Sequence, residues 1–158
     1  MWSLEGNSSP QLTTPDDLLA RLAARQHGVV ARPQLLALGF GRDAIAHRRK
    51  VGRVLLIHRG IYAVGHRPPS PLAAAMAAVL ACGPDAVLSH RSAAAIWRMV
   101  LRWQLPIDVT APSRRTHPGI RVHRSAHAKT TTRHGIPTTT PAQTLLDLWT
   151  SPGSVDRG

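Results

Sequence analysis

The residues best placed to do chemistry form a short run of cationic side chains. In the segment RDAIAHRRK, Arg42, His47, Arg49 and Lys50 fall on one side of a helical pattern, with Ala44, Ile45 and the following Val51 on the other. A guanidinium donates two parallel hydrogen bonds to a guanine edge, whereas an ammonium acts mainly as a point charge on phosphate. Asp43, in the first turn, could accept from a cytosine amino group or simply favour the positive end of the helix. The chemistry expected of this face is recognition of duplex DNA. A solvated basic face with no partner is the plainer reading of the same residues.

Other chemistries fare worse. A metal-dependent nuclease needs carboxylates around the scissile phosphate. The chain has one glutamate, Glu5, and two lysines, Lys50 and Lys129; Arg48 and His127, not acids, stand two positions before them. The Glu-x-Lys pattern is absent, so no catalytic residue is assigned. His117, His123, His127 and His134 invite a zinc site, but they fall in a loop-rich stretch far from the sole cysteine, Cys82, and they read as surface histidines. No metal and no cofactor are expected. Ser89-His90 resembles a nucleophile beside a base; adjacent residues at a helix start face apart, and Ser89 reads as the N-cap. Cys82 reads as a small buried residue, and Trp97, Trp103 and Trp149 as core or interface anchors.

The basic run needs elements to position it. Thr14, Pro15 and Asp17 make a capping arrangement for a first helix, with Leu18, Leu19, Leu22 and Ala23 at helical spacing and Gly28 at its end. Pro33 opens a second helix that closes at Gly39, and Arg42–Lys50 is the third, ended by Gly52. Two helices joined by a glycine turn, the second basic, make a helix-turn-helix whose second helix enters the major groove. Val54–Ile57 and Ile61–Val64, split by His58-Arg59-Gly60, read as a hairpin. That hairpin is a wing, with Arg53, His58 and Arg59 placed to hold the phosphate backbone. The DNA-binding set is therefore Arg42, Asp43, His47, Arg49, Lys50, Arg53, His58 and Arg59.

The rest of the chain predicts α+β structure: an N-terminal winged helix-turn-helix followed by a small α+β domain. Residues 1–14 form a disordered leader, 15–66 the winged helix, 67–71 a proline-rich linker, 72–149 the second domain and 150–158 a tail. Ser70-Pro71 starts an alanine-rich helix ended by Gly83-Pro84, and Ala86-Val87-Leu88 is a short strand. A helix follows from Ser89. Pro106–Thr110 and Gly119–His123 read as alternating strands around a basic loop, and Thr130–Thr140 as an extended segment. Thr140-Pro141 opens a last helix, whose apolar Leu145, Leu146, Leu148 and Trp149 want something to pack against.

The composition agrees. Eight acidic residues face 20 basic ones, 18 of them Arg, for a formal charge of +12. Such an excess suits a polyanionic partner, most simply nucleic acid. A GC-rich genome would explain Arg in place of Lys, but not the shortage of acids. One cysteine excludes an intrachain disulfide and fits a cytoplasmic setting. No apolar run reaches the roughly 18 residues of a membrane span.

Several stretches resemble the AbiEi family of type IV toxin–antitoxin antitoxins: LAARQHGVVARPQLLALG (22–39), VGRVLLIHRGIYAVGH (51–66), VLSHRSAAAIW (87–97) and GIPTTTPAQTLLDL (135–148). The resemblance implies a winged helix on operator DNA, an antitoxin-type second domain, repression of the chain's own operon, and a cognate toxin opposed without necessarily being touched. Many relatives carry a further endonuclease-like domain, and this chain resembles a member without it. The residues leave two alternatives open: a remnant of an endonuclease-domain protein, and a winged-helix module that binds protein. Operator sequence and oligomeric state stay open.

Overall fold

The computed structural model describes residues 12–65 and 70–151. Most of the expected leader, linker and tail, with Glu5, lie outside them.

Helix α1 (Pro15–Arg25) starts at a reciprocal cap. The Asp17 N–H donates to Thr14 Oγ1 at 3.2 Å, and the Thr14 N–H donates to the Asp17 carboxylate at 2.9 Å. The helix buries Leu19 and Ala23. Gly28 then takes φ +82° and turns the chain into strand β1 (Val29–Ala31). No pattern in the sequence marks Val29-Val30 as a strand. All three residues are buried, and Val30 pairs with Tyr62. A run that short carries no periodicity; its partner makes it a strand.

Helices α2 (Arg32–Ala37) and α3 (Arg42–Lys50) follow, then strands β2 (Val54–His58) and β3 (Ile61–Val64). The sheet order is β1-β3-β2, antiparallel throughout, with a bulge between Leu56 and His58. Leu19, Ala23, Val30, Leu35, Phe40, Ile45, Val54 and Tyr62 form the core beneath the three helices. Gln26 and Gln34 exchange amide hydrogen bonds of 2.8 and 3.0 Å, tying the end of α1 to α2.

The second sheet contains five strands. In chain order come α4 (Pro71–Cys82), β4 (Val87–Leu88), α5 (His90–Ile96), β5 (Ile107–Ala111), β6 (Ile120–Arg124), β7 (Thr130–Arg133), β8 (Ile136–Thr139) and α6 (Pro141–Thr150). The strand order is β6-β5-β4-β8-β7; β5 with β6 and β4 with β8 run parallel, the other pairs antiparallel. Strand β5, expected to alternate, is buried at all five positions. It is an inner strand covered on both faces, where an alternating polar face has no place. The extended threonine segment is the hairpin β7–β8, turning at Gly135.

Helix α4 joins the two sheets. Its Ala73, Ala77 and Ala81 meet Val29, Ala31 and Ile61 of the first sheet, while Ala75, Met76, Ala78, Val79 and Cys82 enter the core of the second. A helix wrapped on all sides must be apolar all round, which accounts for PLAAAMAAVLAC. Burial pushes the Cys82 thiol pKa up, as suits a packing residue. The chain is thus an α+β protein with a winged helix-turn-helix at its N-terminal end.

Helix α6 departs from expectation. Its one buried residue is Thr144, whose hydroxyl meets the Thr139 hydroxyl and the Thr140 carbonyl, both at 2.8 Å. Leu145, Leu146 and Trp149 are exposed, Trp149 at 89%. Trp149 is no core anchor; Trp97 is, half-buried with its indole N–H on the Thr139 carbonyl at 2.9 Å. Among the described residues no helix is long and apolar enough to cross a membrane.

Candidate nucleic-acid interface

Helix α3 is held by Ile45, which is 2% exposed, and by the half-buried Ala44. Val51, grouped with them in the sequence, is 48% exposed at the helix end. Fixing the helix through Ile45 turns Arg42, Asp43, Ala46, His47, Arg49 and Lys50 to solvent. Arg48 goes the other way. Its Nη2 donates to Asp16 of α1 at 2.9 Å, and its guanidinium lies 4.4 Å above the centre of the Phe40 ring. Arg48 braces α3 against α1 and is not available to a ligand.

Ala46 is the residue the sequence reading leaves out. It stands between Arg42 and Lys50 on the exposed face. Its signal was its spacing of four from both, overlooked because it carries no charge. The N-cap of α3, Gly41, gives the first turn no side-chain hydrogen bond.

The wing residues separate. Arg53 is exposed at the junction of α3 and β2, its N–H bonded to the Arg48 carbonyl at 2.8 Å, so it continues the α3 surface. Arg59 is also exposed but sits at the far end of β2, roughly 17 Å along a five-residue strand. His58 is half-buried against His117, ring centres 6.1 Å apart, edge to face. Burial first, and then the neighbouring His117, hold its pKa below the ordinary imidazole value, so it adds little positive charge near neutral pH. Arg42, Asp43, His47, Arg49, Lys50 and Arg53 are brought together; His58 and Arg59 are not with them.

The histidines read as surface groups are partly structural. His117 packs on His58, and His123 hydrogen-bonds Asp108 at 2.9 Å. His27 Nε2–H donates to the His134 carbonyl at 2.6 Å, docking the β7–β8 turn on the α1–β1 turn. Ser89 stands at the N-cap of α5, yet its hydroxyl makes no cap hydrogen bond and contacts His90 Nδ1 at 2.9 Å instead. The two adjacent residues do meet, because His90 takes φ +49°, a left-handed conformation a regular helix start would not allow.

Three helices, a helix-turn-helix with an exposed basic third helix, and a following hairpin define a winged-helix unit. Residues 17–65 match the family described as the AbiEi antitoxin transcriptional regulator. The match spans the winged-helix unit, over which the chain is similar to that family. No curated protein matches the chain.

Proposed function

We propose that the chain is a DNA-binding antitoxin of a type IV toxin–antitoxin system that represses its own operon. The observation that carries this reading is the outward face of α3. There Arg42, Arg49 and Lys50 are all exposed around Ala46, while Arg48, the one inward cation of the run, is engaged by Asp16 and Phe40. In this reading α3 lies in the major groove. Arg42 and Arg49 read or flank base edges, Asp43 and His47 add to the readout, and Lys50 and Arg53 hold phosphates. Arg59 reaches the backbone only where DNA runs along the hairpin, and His58 contributes shape more than charge. The action is non-catalytic, in the cytoplasm, and the toxin is opposed without direct contact being required.

The test is fluorescence anisotropy of the chain on its own upstream duplex and on a scrambled duplex across a salt series. Tighter binding to the native duplex, falling steeply with salt, supports the reading. Equal, weak binding to both duplexes reduces the α3 face to a general basic surface, and no binding at low salt refutes DNA recognition.

A further inference from the structure

The second sheet carries a polar cluster that DNA binding does not use. Asp108 on β5 is 2% exposed, and its backbone N–H donates to Ser92 Oγ at 2.8 Å. On the parallel neighbour β6, Arg121 and His123 are two apart and so share a face. His123 Nε2–H donates to Asp108 Oδ1 at 2.9 Å, and Arg121 Nη1 lies 3.6 Å from the same oxygen. The His123 ring stacks on His90, centroids 3.6 Å apart at 15°. Together with Arg91 these groups line a cavity of about 530 Å³, whose apolar wall is Leu105, Pro106 and Leu148.

We propose that this cavity binds a small phosphorylated molecule, its phosphate monoester held by Arg91, Arg121 and His90. The lining offers two guanidiniums and two imidazoles. Asp108 is engaged by His123 and Arg121, and Asp147 lies near His90, but among the described residues no carboxylate is within ion-pair distance of Arg91. Asp108 therefore positions Arg121 and His123 and leaves the Arg91 guanidinium open to an anion. Guanidiniums bind phosphate oxygens in pairs, with charge-assisted bonds about twice as strong as neutral ones. The size falls in the range of small-molecule sites, roughly 300–1,000 Å³, and the apolar wall suits the remainder of a ligand. The stacked rings argue for binding over catalysis: two imidazoles face to face cannot flank a phosphorus as acid and base.

The same phosphate chemistry could come from a nucleic-acid backbone, and the experiment separates the sources. The histidine ring signals of the full chain are followed by NMR as it is titrated with inorganic phosphate, adenosine monophosphate, or a short RNA lacking terminal phosphates. The expected result is saturable movement of the His90 and His123 signals with the first two. Arg91→Ala should weaken that binding by roughly ten- to a hundredfold, the loss of one hydrogen bond to a charged group. Arg91 is exposed, so its removal opens no core, and Arg114→Ala in the exposed loop outside the cavity should change nothing. No movement with phosphate or the nucleotide overturns the proposal, as does movement that Arg91→Ala leaves unchanged. Saturation by the RNA alone would make the ligand a backbone diester and overturn the small-molecule assignment.

Discussion

Arg48 and Arg49 are neighbours in sequence and opposed in environment, so replacing each with Ala separates fold from recognition. Arg48 holds Asp16 at 2.9 Å and covers Phe40; its side chain is 18% exposed, that of Asp16 68%. A half-exposed ion pair contributes about 0.2–1 kcal/mol and a cation–π contact about 0.5–1 kcal/mol, so Arg48→Ala should destabilise the fold by about 1 kcal/mol. Arg49 is exposed and makes no side-chain hydrogen bond or ion pair among the described residues, so its loss should leave the melting temperature nearly unchanged. On DNA the order reverses. If Arg42 and Arg49, beside the base edges, also neutralise one phosphate each, as Lys50 and Arg53 do, the slope of log affinity against log salt is about −3.6, an affinity loss of about 150-fold from 50 to 200 mM. Arg49→Ala should flatten that slope by about 0.9, and Arg48→Ala should leave it alone. Thermal unfolding gives one axis and anisotropy across the salt series the other. Equal flattening by both variants would refute the orientation argued for α3; a triple Arg42, Arg49, Lys50 alanine variant with the parent slope would refute its role.

Other perturbations follow from the same geometry. Thr14→Ala removes the hydroxyl half of the α1 cap, leaving the Thr14 N–H on Asp17, and should cost about 1 kcal/mol by denaturant unfolding. Ala77→Leu puts three extra carbons where α4 meets both sheets at a fully buried position, and should cost about 1–3 kcal/mol or more, read as a lowered melting temperature. Gly135→Ala places a Cβ 3.2 Å from the Arg25 carbonyl at φ +75°, and should cost about 1–2 kcal/mol through that strain. His90 is half-buried among His123, Asp147, Asp108 and Arg121, and desolvation, then His123, hold its pKa below the ordinary imidazole value. A depressed folded-state pKa means stability that is present above about pH 6.5 and lost as pH falls through the folded value, because the unfolded chain takes the proton more readily. His58 adds a loss of the same sign. Stability profiles of His90→Gln and His58→Asn should therefore fall less steeply below about pH 6.5 than that of the parent chain.

The local signals in the sequence carried the helices and the hairpin because each rests on neighbours a few residues away. Thr14 and Asp17 make their cap within one turn, Gly52 at φ +76° ends α3, and Val54–His58 turns back on Ile61–Val64 through Gly60. What the sequence hid depends on partners remote along the chain. Strand β1 exists because Tyr62 lies beside Val30. The half-burial of His58 depends on a loop residue, His117, and nothing near either histidine announces the pair. Asp108 reads as the polar face of an alternating strand until β5 is found between β4 and β6, where burial forces the carboxylate to find His123 and Arg121. Ser89 and His90 were set apart on the geometry of a regular helix start, and one left-handed residue removed that premise.

The contacts between the two sheets bear on how the chain works. Helix α4 fills the space between them with alanines, side chains that have no rotamers to adjust, so the sheets cannot shift without opening a void. Two polar contacts lie beside this packing: His27 on the His134 carbonyl, and His58 against His117. The second reaches from the end of the wing strand to the loop that precedes β6, the strand bearing Arg121 and His123. A ligand drawn onto Arg121 would therefore act on a strand whose leading loop rests against the wing. The placement of α3, by contrast, rests on Ile45 and Arg48, which pack in the first sheet's core and against α1 and Phe40. An effect of the cavity on DNA affinity would then have to pass through the wing and spare the base-reading face of α3.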